Sequence, residues 1–209
     1  MDNFKGYYEN SKKNLQIGYA DIFDMEEIDK RHLYINGEIE MGNTFDTIVY
    51  HIMRFNSQDK DIPIKDRKPI ILYINSPGGS VTDGYGVIDA IMTSKTPVYT
   101  VNQGICFSMG FLIFLAGHKR YAMPHAEFLM HDGSTVAWDS MAKMKDRMEF
   151  ETQQLEKMTR DYVLARTNIP EDVYEQKYRV EWYFLPEEAK AIGVTDSIVG
   201  QDCDIDEVI

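Results

Sequence analysis

Cysteine is scarce in this chain. Cys106 and Cys203 are the only two among 209 residues, too few for a disulfide framework and spaced unlike any metal knuckle. Basic side chains are outnumbered as well: Lys and Arg total 22 against 34 Asp and Glu, a formal charge of −12. So acidic a surface repels a phosphate backbone, which excludes a general nucleic-acid binder. No uninterrupted apolar run approaches the ~20 residues needed to span a bilayer. Met1-Asp2-Asn3-Phe4-Lys5 lacks the apolar segment of a secretory signal. What is present, 44% hydrophobic and 27% charged residues, is the composition of one soluble, cytoplasmic globular domain.

Periodicity then gives the elements. The first thirty residues are polar and tyrosine-rich and read as an arm. His32–Asn36 reads as a short strand ending at Asn36-Gly37. From Asn43 or Thr44 a helix is expected, with Phe45, Ile48, Val49, Ile52 and Met53 in one apolar stripe. The charged run Gln58–Lys68, with Pro63, reads as a loop. Pro69–Ile74 is apolar on both faces, as a strand inside a parallel sheet requires. It ends in the turn Asn75-Ser76-Pro77-Gly78-Gly79-Ser80, and Ser80 can cap a helix carrying Tyr85, Ile88, Ile91 and Met92.

The unit repeats: a strand at Val98–Val101, a turn at Gly104–Phe107, and an apolar helix Met109–Ala116 closed by Gly117. From Tyr121 another strand leads through Glu127–Met130 to His131. Strand, glycine turn and helix recurring at about thirty residues indicate an α/β protein with parallel pairing. Asp139 or Ser140 can cap a long helix to about Arg166. Its stripe, Met141, Met144, Met148, Leu155, Met158 and Tyr162, is interrupted only at Glu151 and suits helix-on-helix contact. Pro186 starts a last helix, Gly193 ends it, a strand Val194–Val199 follows, and the acidic tail reads as a solvated, flexible end.

Chemistry concentrates at the turns. Ser108 follows a buried strand and opens an apolar helix, where the helix amides would stabilise an oxyanion formed after attack by its hydroxyl. A serine there is equally well placed as a simple N-cap. The Pro77-Gly78-Gly79-Ser80 turn permits positive φ and close approach to a ligand. The amides of Gly79 and Met109 are therefore candidates for a two-donor oxyanion hole. A serine nucleophile needs a base. Among the five histidines only His131 stands at the C-terminal end of a core strand, where α/β sites form. None pairs with cysteine or carboxylates at metal spacing, so no metal site is expected. Cys106 reads as a small buried residue.

Taken in order, Tyr73–Thr82, then Ser108-Met109-Gly110, then Arg120–Pro124 leading to His131, closely resemble the ClpP family, the proteolytic subunits of Clp proteases. The resemblance runs from about Asp21 to Val199. It includes Asp29-Lys30-Arg31 before the first strand and Glu187-Glu188-Ala189, Gly193 and Asp196 near the end. It implies a ClpP/crotonase-like head with a projecting handle helix: arm 1–30, head 31–132 and 171–200, handle 133–170, acidic tail 201–209. It implies Ser108 as nucleophile, His131 as general base, and Gly79 and Met109 as oxyanion donors. The family's third triad member, an aspartate, falls on Glu181; Asp172 and Asp196 are the fallbacks, and Asp132, adjacent to His131 in a strand, should point away. It further implies an endopeptidase acting on unfolded proteins inside two stacked heptameric rings joined through the handle helix. No cofactor is expected in this chain. It carries no Gly-x-x-x-x-Gly-Lys-Ser/Thr element, so ATP would be used by a separate hexameric AAA+ unfoldase.

Several positions depart from the family. Glu181 replaces aspartate, the loop Gly117–Arg120 is short, Asp132-Gly133 replaces Gln-Pro, Ser134–Trp138 replaces a glycine-rich strand, and Gln58–Lys68 is long. The alternative is therefore an inactive or weakly active ring subunit serving assembly or regulation. A crotonase-like acyl-CoA enzyme shares the fold but does not use a Ser-His pair placed in this way.

Overall fold

The computed structural model describes residues 26–40, 42–133 and 140–209. The arm up to residue 25, Ser134–Trp138 and the candidate cap Asp139 lie outside the described residues. Strand β1 spans His32–Asn36, β2 Ile70–Ser76, β3 Val98–Phe107, β4 Lys119–Ala122, β5 Glu127–Met130, β6 Trp182–Phe184 and β7 Ser197–Ile198. These strands of the described chain make one sheet, β1-β2-β3-β4-β7, with β5 also paired to β3 and β6 to β5. All pairs are parallel except β5 with β6.

Helix α1 spans Asn43–Gln58, α2 Val81–Thr93, α3 Met109–Leu115, α4 Met141–Phe150, α5 Glu156–Arg166, α6 Glu171–Lys177 and α7 Pro186–Ala191. Alternation along β2 sorts the core. Ile70, Leu72 and Ile74 join the main cluster with Ile48, Ile52, Ile88 and Phe111, whereas Ile71 and Tyr73 face a smaller cluster with Val101, Tyr121, Val199 and Val208. In α1 the stripe is shifted from the expected one: Met53 is 65% exposed and Phe55 is buried instead.

Four further differences from the sequence reading shape the site. First, β3 does not turn at Gly104. It runs on to Phe107, because its first half pairs with β4 and its second half with β5. Second, the segment from Lys119 is two strands rather than one. Third, β6 and α6 were not anticipated, while the expected Val194–Val199 strand shrinks to Ser197–Ile198. Fourth, the tail is docked: Val208 is 1% exposed, Tyr73 donates its hydroxyl proton to the Val208 carbonyl, and Tyr121 donates to Glu207 Oε2 at 3.0 Å.

The long helix runs through α4 and α5 with helical backbone across a π turn, Glu151–Leu155, the place where the apolar stripe breaks. Its two halves differ. α4 has no buried residue, with Met141 80% and Met148 64% exposed. α5 is fastened to the sheet domain: Tyr85 and Thr159 share a 2.6 Å hydrogen bond, Tyr162 donates to the Leu112 carbonyl at 2.9 Å, and Arg166 Nε to the Leu115 carbonyl at 2.9 Å.

Candidate active site

The site forms at the C-terminal ends of β2, β3 and β5. Ser108 lies between β3 and α3 with φ 54° and ψ −121°, a conformation that costs a non-glycine residue energy and is held by its surroundings. Ser108 N–H donates to the Leu129 carbonyl at 3.0 Å, and its carbonyl accepts from Phe111 and Leu112 as α3 begins. A strained strand-to-helix turn of this type holds a hydroxyl out at the top of a sheet. Its side chain does not cap the helix, so the N-cap role does not occupy it.

Glycine is required opposite. A Cβ on Gly78 (φ 102°) would come within 2.7 Å of Ser108 Cβ and 2.9 Å of the Phe107 carbonyl oxygen, and one on Gly79 (φ 142°) would overlap the Ile39 backbone. Gly79 forms a parallel bridge with Ile39, in which Ile39 N–H donates to Gly78 and Ser80 N–H to Ile39. In such a bridge the Gly79 N–H itself points away from Ile39. Met109 opens α3, so its N–H has no intrahelical acceptor, and it sits 3.1 Å from the position of that Gly78 Cβ.

Ser108, Met109 and His131 border one cavity of about 180 Å³, which residues of the long helix also line. Glu181 does not line it. Its carboxylate accepts from the Tyr183 hydroxyl at 3.0 Å. The antiparallel register Phe128↔Phe184, Leu129↔Tyr183, Met130↔Trp182, continued by one residue, nevertheless sets Glu181 opposite His131. Beyond Met130 the chain leaves this ladder, and Asp132 N–H donates to the Tyr178 carbonyl at 2.7 Å. Among the described residues no hydrogen bond joins Ser108 to His131, or His131 to Glu181. Asp172 is exposed in the first turn of α6, and Asp196 is bound by the Arg120 guanidinium and amide. Asp132 and His131 both lie past the end of β5, where strand alternation no longer holds, and both line the cavity. Burial raises the Cys106 thiol well above its ordinary value, which leaves it unreactive.

The sequence reading missed Gly78 as the residue against Ser108, and Tyr85, Tyr174 and Tyr178 as cavity walls. The i, i+4 spacing of Tyr174 and Tyr178 was the available signal.

A family model for Clp protease matches residues 19–202. The chain belongs to the Clp protease family. A curated relative, the ATP-dependent Clp protease proteolytic subunit 1 of Frankia casuarinae, is 30% identical over 167 residues, covering 79% of this chain and 75% of the relative. This Clp protease chain is thus placed among proteolytic subunits, hydrolases of protein degradation. No helix among its described residues is long and apolar enough to cross a membrane.

Proposed function

We propose that the chain is a serine endopeptidase subunit that hydrolyses peptide bonds of unfolded proteins, with Ser108 as nucleophile and His131 as general base. The observation that carries this reading is a strained Ser108, its hydroxyl unused as a cap, on the same cavity as His131. The Ser108 hydroxyl adds to the scissile carbonyl while its proton passes to His131. The oxyanion is held by the Gly79 and Met109 amides. Collapse expels the amine, which takes the proton back from His131, and water then adds to and cleaves the acyl-Ser108 ester by the same proton route. Glu181 turns from Tyr183 to orient His131 and stabilise the imidazolium; catalytic hydrogen bonds commonly tighten only when substrate is bound.

The handle works between two copies of the chain. The methionines of α4 form an exposed apolar seam that a second copy covers, and two heptameric rings stack through it. A separate AAA+ unfoldase supplies unfolded chains and uses the ATP.

The second reading, a ring subunit without activity, draws on the missing Ser108–His131 hydrogen bond and on the engagement of Glu181 by Tyr183. A serine-directed fluorophosphonate probe separates the two. Labelling of the assembled wild type but not of Ser108→Ala supports the protease; an intact oligomer that takes no label is the inactive subunit.

A further inference from the structure

We propose that the cavity beside Ser108 receives a lysine or arginine side chain of the peptide substrate. The proposal builds on the serine-protease reading and adds a substrate preference to it. At about 180 Å³ the cavity has the volume of about six waters at about 30 Å³ each, room for one side chain. Asp132, Glu151 and Glu156 line it with Arg147. Beside them, apolar walls of Met109, Phe111, Leu112 and Val163 suit the methylene stem of a long basic side chain. Arg147 Nε donates to Glu151 Oε1 at 2.6 Å, so that pair cancels and Asp132 and Glu156 remain as negative charge.

The backbone aims Glu156 into the cavity. Residues five apart on a regular α-helix point about 140° away from each other, yet Glu151 and Glu156 share this wall because the π turn Glu151–Leu155 lies between them. Both free carboxylates act on Tyr178: burial first, then Glu156 and Asp132, push its phenol up to about 12. Tyr178 stacks on Tyr174 with ring centroids 5.2 Å apart, which offers aromatic faces to a cation.

Tyr174 supplies an independent observation. It lines the cavity at 1% exposure, and its hydroxyl is buried with no hydrogen-bond partner. A native protein rarely leaves such a group unpaired, and its oxygen can accept a hydrogen bond from an ammonium or guanidinium. An aliphatic side chain would leave that hydroxyl unpaired, and an acidic one would meet Asp132 and Glu156.

The test uses the assembled full-length protein and fluorogenic peptides identical except for Lys, Arg, Leu or Glu before the scissile bond. A kcat/KM for Lys and Arg at least tenfold above Leu, with Glu slowest, is expected, and Glu156→Gln and Tyr174→Phe should each lower the Lys-to-Leu ratio at least fivefold. A preference for Leu, or a ratio that neither substitution moves, overturns the proposal. Fluorophosphonate labelling of the same preparation keeps the two readings apart: labelled Ser108 with a Leu preference sinks the cation pocket alone. Fluorescence anisotropy of product-like peptides ending in Lys or Leu on Ser108→Ala decides where no turnover is seen. Tenfold tighter binding of Lys supports the pocket without catalysis, and equal binding overturns it.

Discussion

The two ends of the parallel strands are built on opposite principles. At the N-terminal ends of β1, β2 and β3, Arg31 and Thr96 converge on Asp59, which is 0% exposed. Arg31 grips both carboxylate oxygens of Asp59 at 2.6 Å and the Lys68 carbonyl at 2.9 Å, and Thr96 Oγ1 donates to Asp59 at 2.9 Å. The Arg31 guanidinium holds the Asp59 carboxyl below its ordinary range. At the C-terminal ends Asn75 and Ser76 are hydrogen-bonded, to Asn36 and the Gly78 N–H. The Ser108 hydroxyl, however, does not cap, and across the cavity the Tyr174 hydroxyl has no partner. The backbone is strained on both sides, at Arg31 (φ 71°) and at Ser108 (φ 54°). One edge closes its polar groups around a buried carboxylate, while the other leaves one serine hydroxyl and one phenol uncommitted beside a cavity, at the carboxyl ends where open α/β sheets bind ligands.

Substitutions should divide along that line. Ser108→Ala should cut peptide hydrolysis by about 10⁴-fold or more while leaving the urea midpoint unchanged; a large fall in the midpoint would show that the serine is structural. Asp59→Ala strands a partly buried guanidinium and the Thr96 hydroxyl and should cost about 3 kcal/mol in urea unfolding. A cost under about 1 kcal/mol would mean that this edge is not held by the pair. Glu27 sharpens the contrast through pH. Burial pushes its carboxyl up, but hydrogen bonds from Lys30, His32 and Tyr34 outweigh this and bring it from 4.5 down to about 2. A lowered carboxyl contributes stability above its unfolded value and loses it as pH falls through the folded one. Up to about 3 kcal/mol should therefore vanish between pH 4.5 and about 2, and Glu27→Gln should flatten that fall in acid unfolding curves. Glu181→Ala should lower kcat about a hundredfold, roughly 2.7 kcal/mol, with stability untouched. Full activity in that variant would take Glu181 out of the triad.

The sequence disclosed what repeats and hid what converges. β1 occupies the expected residues, and Ser108 and His131, both picked from strand ends, do meet on one cavity. Asp59 was invisible because a charged run with a proline looks solvated until folding brings Arg31 and Thr96 around it. β6 was missed because Trp182, Tyr183 and Phe184 give only one and a half periods of alternation, too short to recognise, yet this strand pairs with β5 up to Met130, the residue before His131. The tail misled through its acidic residues: Val208 and Cys203 among them pack on the cluster of Tyr73 and Tyr121, and the Glu207 carboxylate accepts from Tyr121.

The π turn Glu151–Leu155 makes the long helix into two separately aimed pieces. One inserted residue rotates everything beyond it by about 100°, so α5 can keep its fit against the sheet domain while α4 turns its methionines elsewhere. On the proposed reading the half that would pair with a second copy is thereby aimed apart from α5, with Arg147 of α4 still lining the cavity. Changes confined to the outermost turns of α4 would leave the contacts of α5 with the sheet domain in place. Deleting one residue within the turn would undo that independence, swinging the outer half by about a quarter of a revolution.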